Sequence, residues 1–269
     1  MPERPYKTDD AWSQAVFARR TGRVAEFLTP HLRAGMRLLD CGCGPGTITA
    51  DLAKVVAPGE AIGIDLREEA VAQARAGARE RQIANLTFRQ ATIYQLPFPD
   101  ASSDAAFTCA VLQHLATPVV ALREIRRVLK PGGVIGIADG SSMFTIRYPN
   151  NPLLDKFDRL RTLERDYALG QPGETLPLRG LLREAGFGRS QASGLLTTEV
   201  GLPAGTPEET RRVAQTHVLR LRGVLGTLAL EQGWATKEEL EQIAEALLAW
   251  GESPDAFYAR PAFWAIGWV

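Results

Sequence analysis

The segment Leu38–Gly46, with the sequence LLDCGCGPG, is the most informative part of this chain. Its apolar residues predict a buried strand over Met36–Cys41, and the pattern after the glycines predicts a helix over Thr47–Val56. Glycines at a strand-to-helix junction let a ligand approach the backbone, and the N-terminus of a helix attracts negative charge. The segment therefore predicts a ligand-binding turn at the end of a buried strand.

Strand and helix patterns alternate around this segment. Further strands are predicted over Ala61–Asp65, Asn85–Ala91, Asp104–Cys109 and Val134–Asp139, with helices over Glu68–Arg81 and Pro118–Leu129. Later segments predict a helix over Leu178–Ala185, helical stretches from Thr206 to about Gln232 and from Thr236 to Trp250, and strands over Ser190–Val200 and Ala256–Val269. The alternation up to Gly140 indicates an α/β fold, in which a mostly parallel sheet has helices on both faces.

After Gly140 the alternation stops, and two segments interrupt the sheet pattern. The first is rich in Pro, Asn and aromatic residues with short helical patches, and the second is helical. Because ligands bind outside the carboxyl ends of the strands in such sheets, we expect a lid and a substrate cap. The predicted organisation is an N-terminal helical segment at 1–35, a cofactor-binding core at 36–140, a lid at 141–173, completion of the sheet by 174–204 and 251–269, and a cap at 205–250.

Composition excludes several classes of protein. Lys and Arg total 31 and Asp and Glu total 31 in 269 residues, so the chain lacks the basic excess that nucleic-acid binding exploits. No run of about 18 apolar residues is present, and the start lacks the apolar segment of a signal peptide, so we expect no membrane span. Three cysteines are too few for a disulfide framework, which favours the reducing cytoplasm.

Two acidic residues flank the glycine turn and constrain its ligand. Asp65 ends the second strand, about 20 residues beyond the glycines, where a carboxylate can bind both hydroxyls of a ribose. Asp40 precedes the turn, where it would repel a pyrophosphate and attract an ammonium group. The third glycine also falls one position earlier than in the dinucleotide pattern G-x-G-x-x-G. These features favour a ligand with an amino acid moiety, and a nicotinamide dinucleotide is the alternative at this point.

Five motifs carry a resemblance to a known family. They are Leu38-Leu-Asp-Cys-Gly-Cys-Gly-Pro-Gly46, Gly63-Ile-Asp65, Leu96-Pro-Phe-Pro-Asp100, Val111-Leu-Gln-His-Leu115 and Leu129-Lys-Pro-Gly-Gly133. With this order and spacing, across roughly residues 25–140, the chain resembles the class I S-adenosylmethionine-dependent methyltransferases. Within them it is similar to the group that includes the ubiquinone/menaquinone biosynthesis methyltransferases and related small-molecule enzymes. The resemblance implies a Rossmann-like, seven-stranded sheet with an antiparallel last strand, Ala256–Val269. It also implies S-adenosyl-L-methionine as cofactor and S-adenosyl-L-homocysteine as product.

The resemblance further implies which residues bind this cofactor. Asp40 and the glycine turn would face its methionine portion, and Asp65 its ribose. Leu66 would pack on the adenine, while Cys109 and Ala110 would lie beneath the sulfonium and methyl group. The full predicted set is Asp40, Gly42, Cys43, Gly44, Asp65, Leu66, Thr92, Ile93, Cys109, Ala110 and Arg19.

Thr92 lies where the chain departs from the family pattern, and Arg19 has an alternative role. The family usually has Gly-Asp-Ala before Leu-Pro-Phe, whereas this chain has Ala91-Thr92-Ile93. Thr92 lacks a carboxylate to accept a hydrogen bond from the adenine amino group, although its hydroxyl can accept one. We still expect Thr92 and Ile93 to contact adenine. Arg19 could reach the cofactor carboxylate, or form a solvated surface pair with Arg20.

His114 and Asp139 are the candidate catalytic residues. His114 follows the fourth strand and could act as a general base, because an imidazole titrates near neutral pH; a histidine held by a backbone hydrogen bond is the alternative. Asp139 ends the fifth strand, where its carboxylate would face the substrate or cap the next loop. Cys41 and Cys43 have no further Cys or nearby His to complete a metal site, so we expect no metal.

Together these features predict an enzyme that transfers a methyl group from S-adenosyl-L-methionine to a small, mainly apolar acceptor. A nucleic-acid substrate is not expected, since Cys109-Ala-Val-Leu112 differs from the Asn-Pro-Pro-Tyr-like tetrapeptide of DNA methyltransferases. The alternatives are a nicotinamide-dependent oxidoreductase on a similar sheet and a non-catalytic S-adenosylmethionine-binding partner subunit. Residues 205–250 could instead serve as a dimerisation arm, which would make the protein a homodimer.

Overall fold

The computed structural model describes residues 22–140, 145–169, 176–197 and 206–269. Its strands are β1 Leu38–Cys41, β2 Ala61–Asp65, β3 Leu86–Gln90, β4 Ser103–Cys109, β5 Leu129–Gly140, β6 Ile146–Tyr148, β7 Arg189–Thr197 and β8 Phe257–Trp268. Its α-helices are α1 Thr47–Val56, α2 Glu68–Glu80, α3 Pro118–Val128, α4 Pro152–Leu169, α5 Leu178–Glu184, α6 Pro207–Arg222, α7 Val224–Glu231 and α8 Lys237–Gly251. Most of the predicted N-terminal helical segment lies outside the described residues.

The described residues form two compact units. The core unit consists of 22–140, 176–194 and 263–269. The helical unit consists of 145–169, 195–197 and 206–262. The described parts of the segments predicted as lid and cap therefore belong to the same unit.

The core unit is built on the predicted parallel sheet. Its strand order is β3-β2-β1-β4-β5-β8, with β7 paired to β8. β1 lies between β2 and β4 and is parallel to both, and β3 and β5 continue the parallel arrangement on either side. The register places Asp40 beside Gly63 and Phe107. Because parallel strands end at the same edge of a sheet, the ends of β1, β2 and β4 meet there.

The helical unit contains a strand and a long helix where we expected short helical patches. β6 pairs antiparallel with β8, the antiparallel last strand, and places Tyr148 beside Phe257. α4 has 18 residues, and Asn151 caps its start by accepting a hydrogen bond from the Leu153 N–H at 2.9 Å. β6 raises the number of strands in the described ranges to eight, one more than predicted. A strand of three residues is too short to show the alternation that marks longer strands.

Two predicted element boundaries were wrong. The turn expected at Lys130–Gly133 is part of β5. Ser103 of β4 pairs with Leu129 and Ala105 with Val134, so β5 has more residues than β4 between these two pairs and the register shifts there. The helix expected from Thr206 to about Gln232 is divided into α6 and α7. The chain leaves helical geometry at Gly223, where φ is −100° and ψ is −131°.

Capping boxes begin two helices of the helical unit. The Glu209 N–H donates to the Thr206 hydroxyl at 3.3 Å, and the Thr206 N–H donates to the Glu209 carboxylate at 3.1 Å. Thr236 and Glu239 repeat this arrangement at the start of α8. Glu239 also pairs with Lys156 of α4 at 2.5 Å. These contacts satisfy backbone N–H groups that would otherwise lack partners, and they join α8 to α4.

Each unit buries its own apolar core. In the core unit, Leu38 and Leu39 belong to different apolar clusters because neighbouring strand residues point to opposite faces of the sheet. α3 and α5 cover the Leu39 face, and α1 and α2 cover the Leu38 face. A third cluster, which includes Phe157 and Tyr258, forms the core of the helical unit. The α/β fold with helices on both sheet faces is therefore confirmed.

Arg127 of α3 fixes the LPFPD motif that follows β3. Its guanidinium donates to the carbonyl oxygens of Leu96 and Phe98 at 3.1 and 3.0 Å, and pairs with Asp100 at 2.6 Å. Glu124, one turn earlier, pairs with Arg127 at 2.7 Å and accepts a hydrogen bond from the Leu96 N–H at 2.7 Å. The motif is thus attached to α3 by charge-assisted hydrogen bonds.

Replacing Arg127 tests the importance of this attachment. We expect Arg127→Met to lower the free energy of unfolding by about 1–3 kcal/mol, because two carbonyls and two carboxylates lose a charged donor. Urea denaturation measures the change. Arg79→Met, at an exposed position of α2, is the matched control and should change stability by about 0.5 kcal/mol or less. Equal losses in the two variants would contradict the structural role of Arg127.

Candidate functional site

Backbone hydrogen bonds hold the glycine turn against the end of β2. The N–H groups of Gly42 and Cys43 donate to the Ile64 carbonyl at 2.8 and 2.9 Å. The Gly44 N–H donates to Oδ2 of Asp65 at 2.9 Å. The structure therefore joins the turn and the acid at the end of β2 into one hydrogen-bonded arrangement.

Asp65 is held in a defined orientation by two backbone donors. Besides the bond from Gly44 to Oδ2, the Arg67 N–H donates to Oδ1 at 3.0 Å, and the Arg67 guanidinium lies 3.8 Å from the same oxygen. The Asp65 side chain is 12% exposed. Because a carboxylate offers about four lone-pair sites, each oxygen can accept a further hydrogen bond from a ligand.

Positive φ angles make glycine necessary throughout the turn. The φ angle is +79° at Gly42, +53° at Gly44 and +77° at Gly46, a region that other residues rarely adopt. A Cβ atom at Gly42 would lie 2.3 Å from Val111, and one at Gly46 would lie 2.4 Å from Phe88. A Cβ at Gly44 would have no heavy atom of the described residues within 4 Å. Gly44 therefore borders open space, whereas the other two glycines are packed against side chains.

Asp40 lies at the end of β1 and is buried, with 2% of the residue exposed. The Thr49 hydroxyl donates to its Oδ2 at 2.6 Å. Burial raises the pKa of Asp40 to about 7; the Thr49 hydrogen bond opposes this rise and the charge of Asp65 adds to it. Near neutral pH this carboxyl group is therefore balanced between its protonated and ionised forms.

The residues predicted to contact adenine follow β2 and β3. Leu66 is 51% exposed, and its carbonyl accepts a hydrogen bond from the Gln90 side-chain amide at 3.0 Å. Ile93 is buried, and the Thr92 hydroxyl oxygen accepts a hydrogen bond from the Tyr94 N–H at 3.3 Å. An exposed leucine directly after Asp65 leaves apolar surface that an aromatic ring could cover.

Ala110 has an uncommon backbone conformation at the end of β4. Its φ angle is +54°, and its N–H donates to the Ala138 carbonyl at 2.8 Å. Cys109 beside it is half-buried, and Asp139 at the end of β5 is buried. Non-glycine residues in this conformation are uncommon and cluster at functional sites.

His114 lies in a short turn, Leu112–His114, that follows β4. Its N–H donates to the Val111 carbonyl at 2.9 Å, and its Nε2 lies 3.3 Å from the Gln113 amide nitrogen. His114 and Asp139 are therefore on different elements, one in the turn after β4 and the other at the end of β5. Their catalytic roles stay predictions.

The cysteines of the glycine turn are poorly suited to nucleophilic chemistry. Burial and the neighbouring carboxylate of Asp40 raise the pKa of the Cys41 and Cys43 thiols, which keeps them protonated near neutral pH. Within the described ranges, no group of three or more His, Cys, Asp or Glu side chains is placed to hold a metal ion. In the same ranges, the helices include none with the length and apolar character needed to cross a membrane.

One predicted site residue cannot be located, and one contact of the site was not predicted. Arg19 lies outside the described residues, as does Arg20. The sequence analysis did not single out Thr49, which the structure places against Asp40. Its contact with Asp40 depends on how the turn folds back between them.

Comparison with known proteins identifies the family. A family model described as a methyltransferase domain matches residues 32–166. Probable methyltransferase ltbC of Aspergillus luteorubrus is 32% identical over 268 residues, which cover 92% of this chain and 91% of that protein. An uncharacterized methyltransferase of Schizosaccharomyces pombe is 37% identical over 147 residues, 52% of this chain. The matched part of the chain spans about half of that yeast protein, 53% of its length.

A solved structure shows the same fold. YcgJ of Bacillus subtilis has a TM-score of 0.57 and 23% sequence identity, with coverage of 92% of this chain and 97% of that chain. Together with the methyltransferase-domain match, these similarities show that the chain belongs to the class I S-adenosylmethionine-dependent methyltransferases. S-adenosyl-L-methionine is thus its cofactor, as the motifs predicted.

Alanine substitutions test which glycines of the turn are needed for packing and which are needed for ligand binding. Gly42→Ala and Gly44→Ala both strain a positive φ, at about 1–2 kcal/mol each. We expect Gly42→Ala to lower the melting temperature more than Gly44→Ala does, since the new Cβ would lie 2.3 Å from Val111. Gly44→Ala should instead weaken binding of S-adenosylhomocysteine, because its Cβ enters open space. Thermal unfolding with and without this ligand measures both effects. Equal stabilities, or unchanged ligand binding in Gly44→Ala, would contradict this division.

Proposed function

We propose that this chain transfers a methyl group from S-adenosyl-L-methionine to a small, mainly apolar acceptor. The observation that carries the proposal is the hydrogen bond from Gly44 to Asp65. It joins a glycine turn bordering open space to a carboxylate suited to a ribose. Family membership supports the methyl donor. The equal numbers of acidic and basic residues argue against a nucleic-acid acceptor.

The described residues fit this cofactor at several points. Asp65 has lone pairs for both ribose hydroxyls, and Asp40 supplies a buried negative charge for the ammonium group. The exposed Leu66 side chain would cover the adenine, and the backbone at Gly44 would border the methionine portion. The bound cofactor supplies a methyl group activated by its sulfonium.

Alignment and exclusion of water are the main tasks of the protein in this reaction. Holding the acceptor in line with the methyl group can supply several kcal/mol of the barrier reduction. We assign Cys109 and Ala110 to the wall beneath the methyl group. His114 or Asp139 would remove a proton from an oxygen or nitrogen acceptor, whereas an activated aromatic or enolate carbon needs less help.

We assign recognition of the acceptor to the helical unit. Its segments 145–169 and 206–250 interrupt the sheet pattern after the cofactor motifs are complete. Large apolar side chains stay exposed on this unit, with Tyr148 60%, Leu219 42% and Leu230 46% exposed. A cap of this kind would exclude water and favour an apolar acceptor. A dimerisation arm is the competing use of the same helices.

Methyl-labelled S-adenosylmethionine tests the proposed reaction. Incubation of the full chain with this donor and a small-molecule extract should give a labelled, organic-soluble product by mass spectrometry. S-adenosylhomocysteine should also raise the melting temperature, whereas NAD(H) should not. Stabilisation by NAD(H) would favour an oxidoreductase. Binding of the donor without any labelled product would favour a non-catalytic partner subunit.

Removing the Asp65 carboxylate tests the ribose assignment. We expect Asp65→Ala to weaken S-adenosylhomocysteine binding by about 1.5–3 kcal/mol, the scale for hydrogen bonds to a charged group. Calorimetry measures the affinity, and circular dichroism checks the fold. Glu69→Ala, at an exposed acid in the first turn of α2, is the control and should bind normally. Unchanged affinity in a folded Asp65→Ala variant would overturn the assignment.

The ionisation of Asp40 predicts a pH dependence of cofactor binding. Its pKa of about 7 means that it is mostly protonated, and therefore uncharged, at lower pH. An ammonium group binds best to the ionised form, so affinity for S-adenosylhomocysteine should fall by up to about tenfold per pH unit below the pKa. It should level off above the pKa. Asp40→Asn should give a flat profile between about pH 5.5 and 7.5. A flat wild-type profile would contradict this role.

Amide hydrogen exchange tests the cap. We expect protection in residues 206–250 to increase when acceptor joins S-adenosylhomocysteine, because a cap becomes ordered around its substrate. The ternary complex is compared with the binary complex at one protein concentration. Protection that rises with protein concentration and does not depend on the acceptor would identify a dimerisation arm.

A further inference from the structure

The Asp40 carboxylate has a single hydrogen-bond donor among the described residues, the hydroxyl of Thr49. The two oxygens lie 2.6 Å apart, and the contact uses Oδ2 of Asp40. Thr49 is fully buried, and Asp40 is 2% exposed. The contact is therefore shielded from water. In such a buried environment, a hydrogen bond to a charged group is stronger than at the surface.

The local fold explains how Thr49 reaches Asp40. The chain leaves β1, passes through the glycine turn and begins α1 at Thr47, so Thr49 lies in the first turn of that helix. A helical threonine commonly donates to the carbonyl group one turn earlier. Here its hydroxyl donates instead to a carboxylate nine positions back, at the end of the neighbouring strand.

The other groups around Asp40 do not neutralise its charge. Asp65, Cys41 and Cys43 are the described titratable groups that interact with it, and none of them is a cation. No basic side chain of the described residues forms an ion pair with Asp40. Among the described residues, the hydrogen bond from Thr49 is the contact that favours its ionised form.

We propose that Thr49 is a positioning residue of the cofactor site, whose hydroxyl anchors Oδ2 of Asp40 so that Oδ1 faces the ammonium group of the cofactor. The inference rests on the proposed function, because it takes Asp40 as the ammonium partner. Without the anchor, Asp40 would lose both a fixed orientation and the donor that stabilises its negative charge. Thr49 would then act through Asp40 without touching the cofactor.

Thr49→Val tests this inference, because valine has nearly the same shape and lacks the hydroxyl. Two properties are measured against pH: the ¹³C signal of the Asp40 carboxyl in the ligand-free chain, and the affinity for S-adenosylhomocysteine. Both midpoints should move upward by about one pH unit, so that affinity near pH 7 falls up to about tenfold and recovers at higher pH. Thr49→Ser keeps the hydroxyl and should retain the wild-type midpoints. Thr49→Ala replaces the valine variant if that variant does not fold.

The outcomes separate this inference from the proposed function. Wild-type midpoints in Thr49→Val or Thr49→Ala, or a uniform loss of affinity at every pH, would overturn the positioning role and leave Asp40 as the ammonium partner. If the wild-type affinity does not change with pH and Asp40→Asn binds as tightly as the wild type, the proposed role of Asp40 is wrong, and this inference with it. A merely structural effect of Thr49 would change the melting temperature without moving either midpoint.

Discussion

The hydrogen bond from the Gly44 N–H to the Asp65 carboxylate is the contact on which the site depends. The parallel register of β1 and β2 makes it available, because Cys41 lies beside Ile64 and the two strands end together. The turn must then fold back sharply, which the positive φ angles of its glycines permit. The same contact orients Asp65, and Gly44 lies beside open space, so one local constraint shapes both the fold here and the proposed ligand site.

Charge is the second constraint on this site. Burial makes the ionised form of Asp40 unfavourable, and the nearby charge of Asp65 makes it less favourable still. A protein selected for stability alone would have little reason to bury a carboxylate whose hydrogen-bond donor, within the described part of the chain, is one hydroxyl group. A ligand with an ammonium and a sulfonium group would offset this cost on binding. The negative charge that lacks a cationic partner in the described, ligand-free residues is therefore complementary to the positive charges of the methyl donor.

Sequence patterns predicted the core unit better than the helical unit. α1 and β2 have the predicted bounds, because glycines, prolines and apolar runs mark their ends. β6 was missed because a short strand shows no alternation, and the break at Gly223 was missed because apolar periodicity continues past it. The contact between Thr49 and Asp40 depends on the path of the turn, which residue patterns do not encode. The cofactor motifs were recognisable because their chemistry restricts residue type position by position.

A crystal structure of the full chain with S-adenosylhomocysteine tests the central claim most directly. The predicted result has both ribose hydroxyls on the Asp65 carboxylate and the ammonium group on Oδ1 of Asp40, with the Thr49 hydroxyl still bonded to Oδ2. The backbone at Gly44 should border the homocysteine portion. A nucleoside bound away from the ends of β1 and β2, or an ammonium group held by residues other than Asp40, would contradict the account.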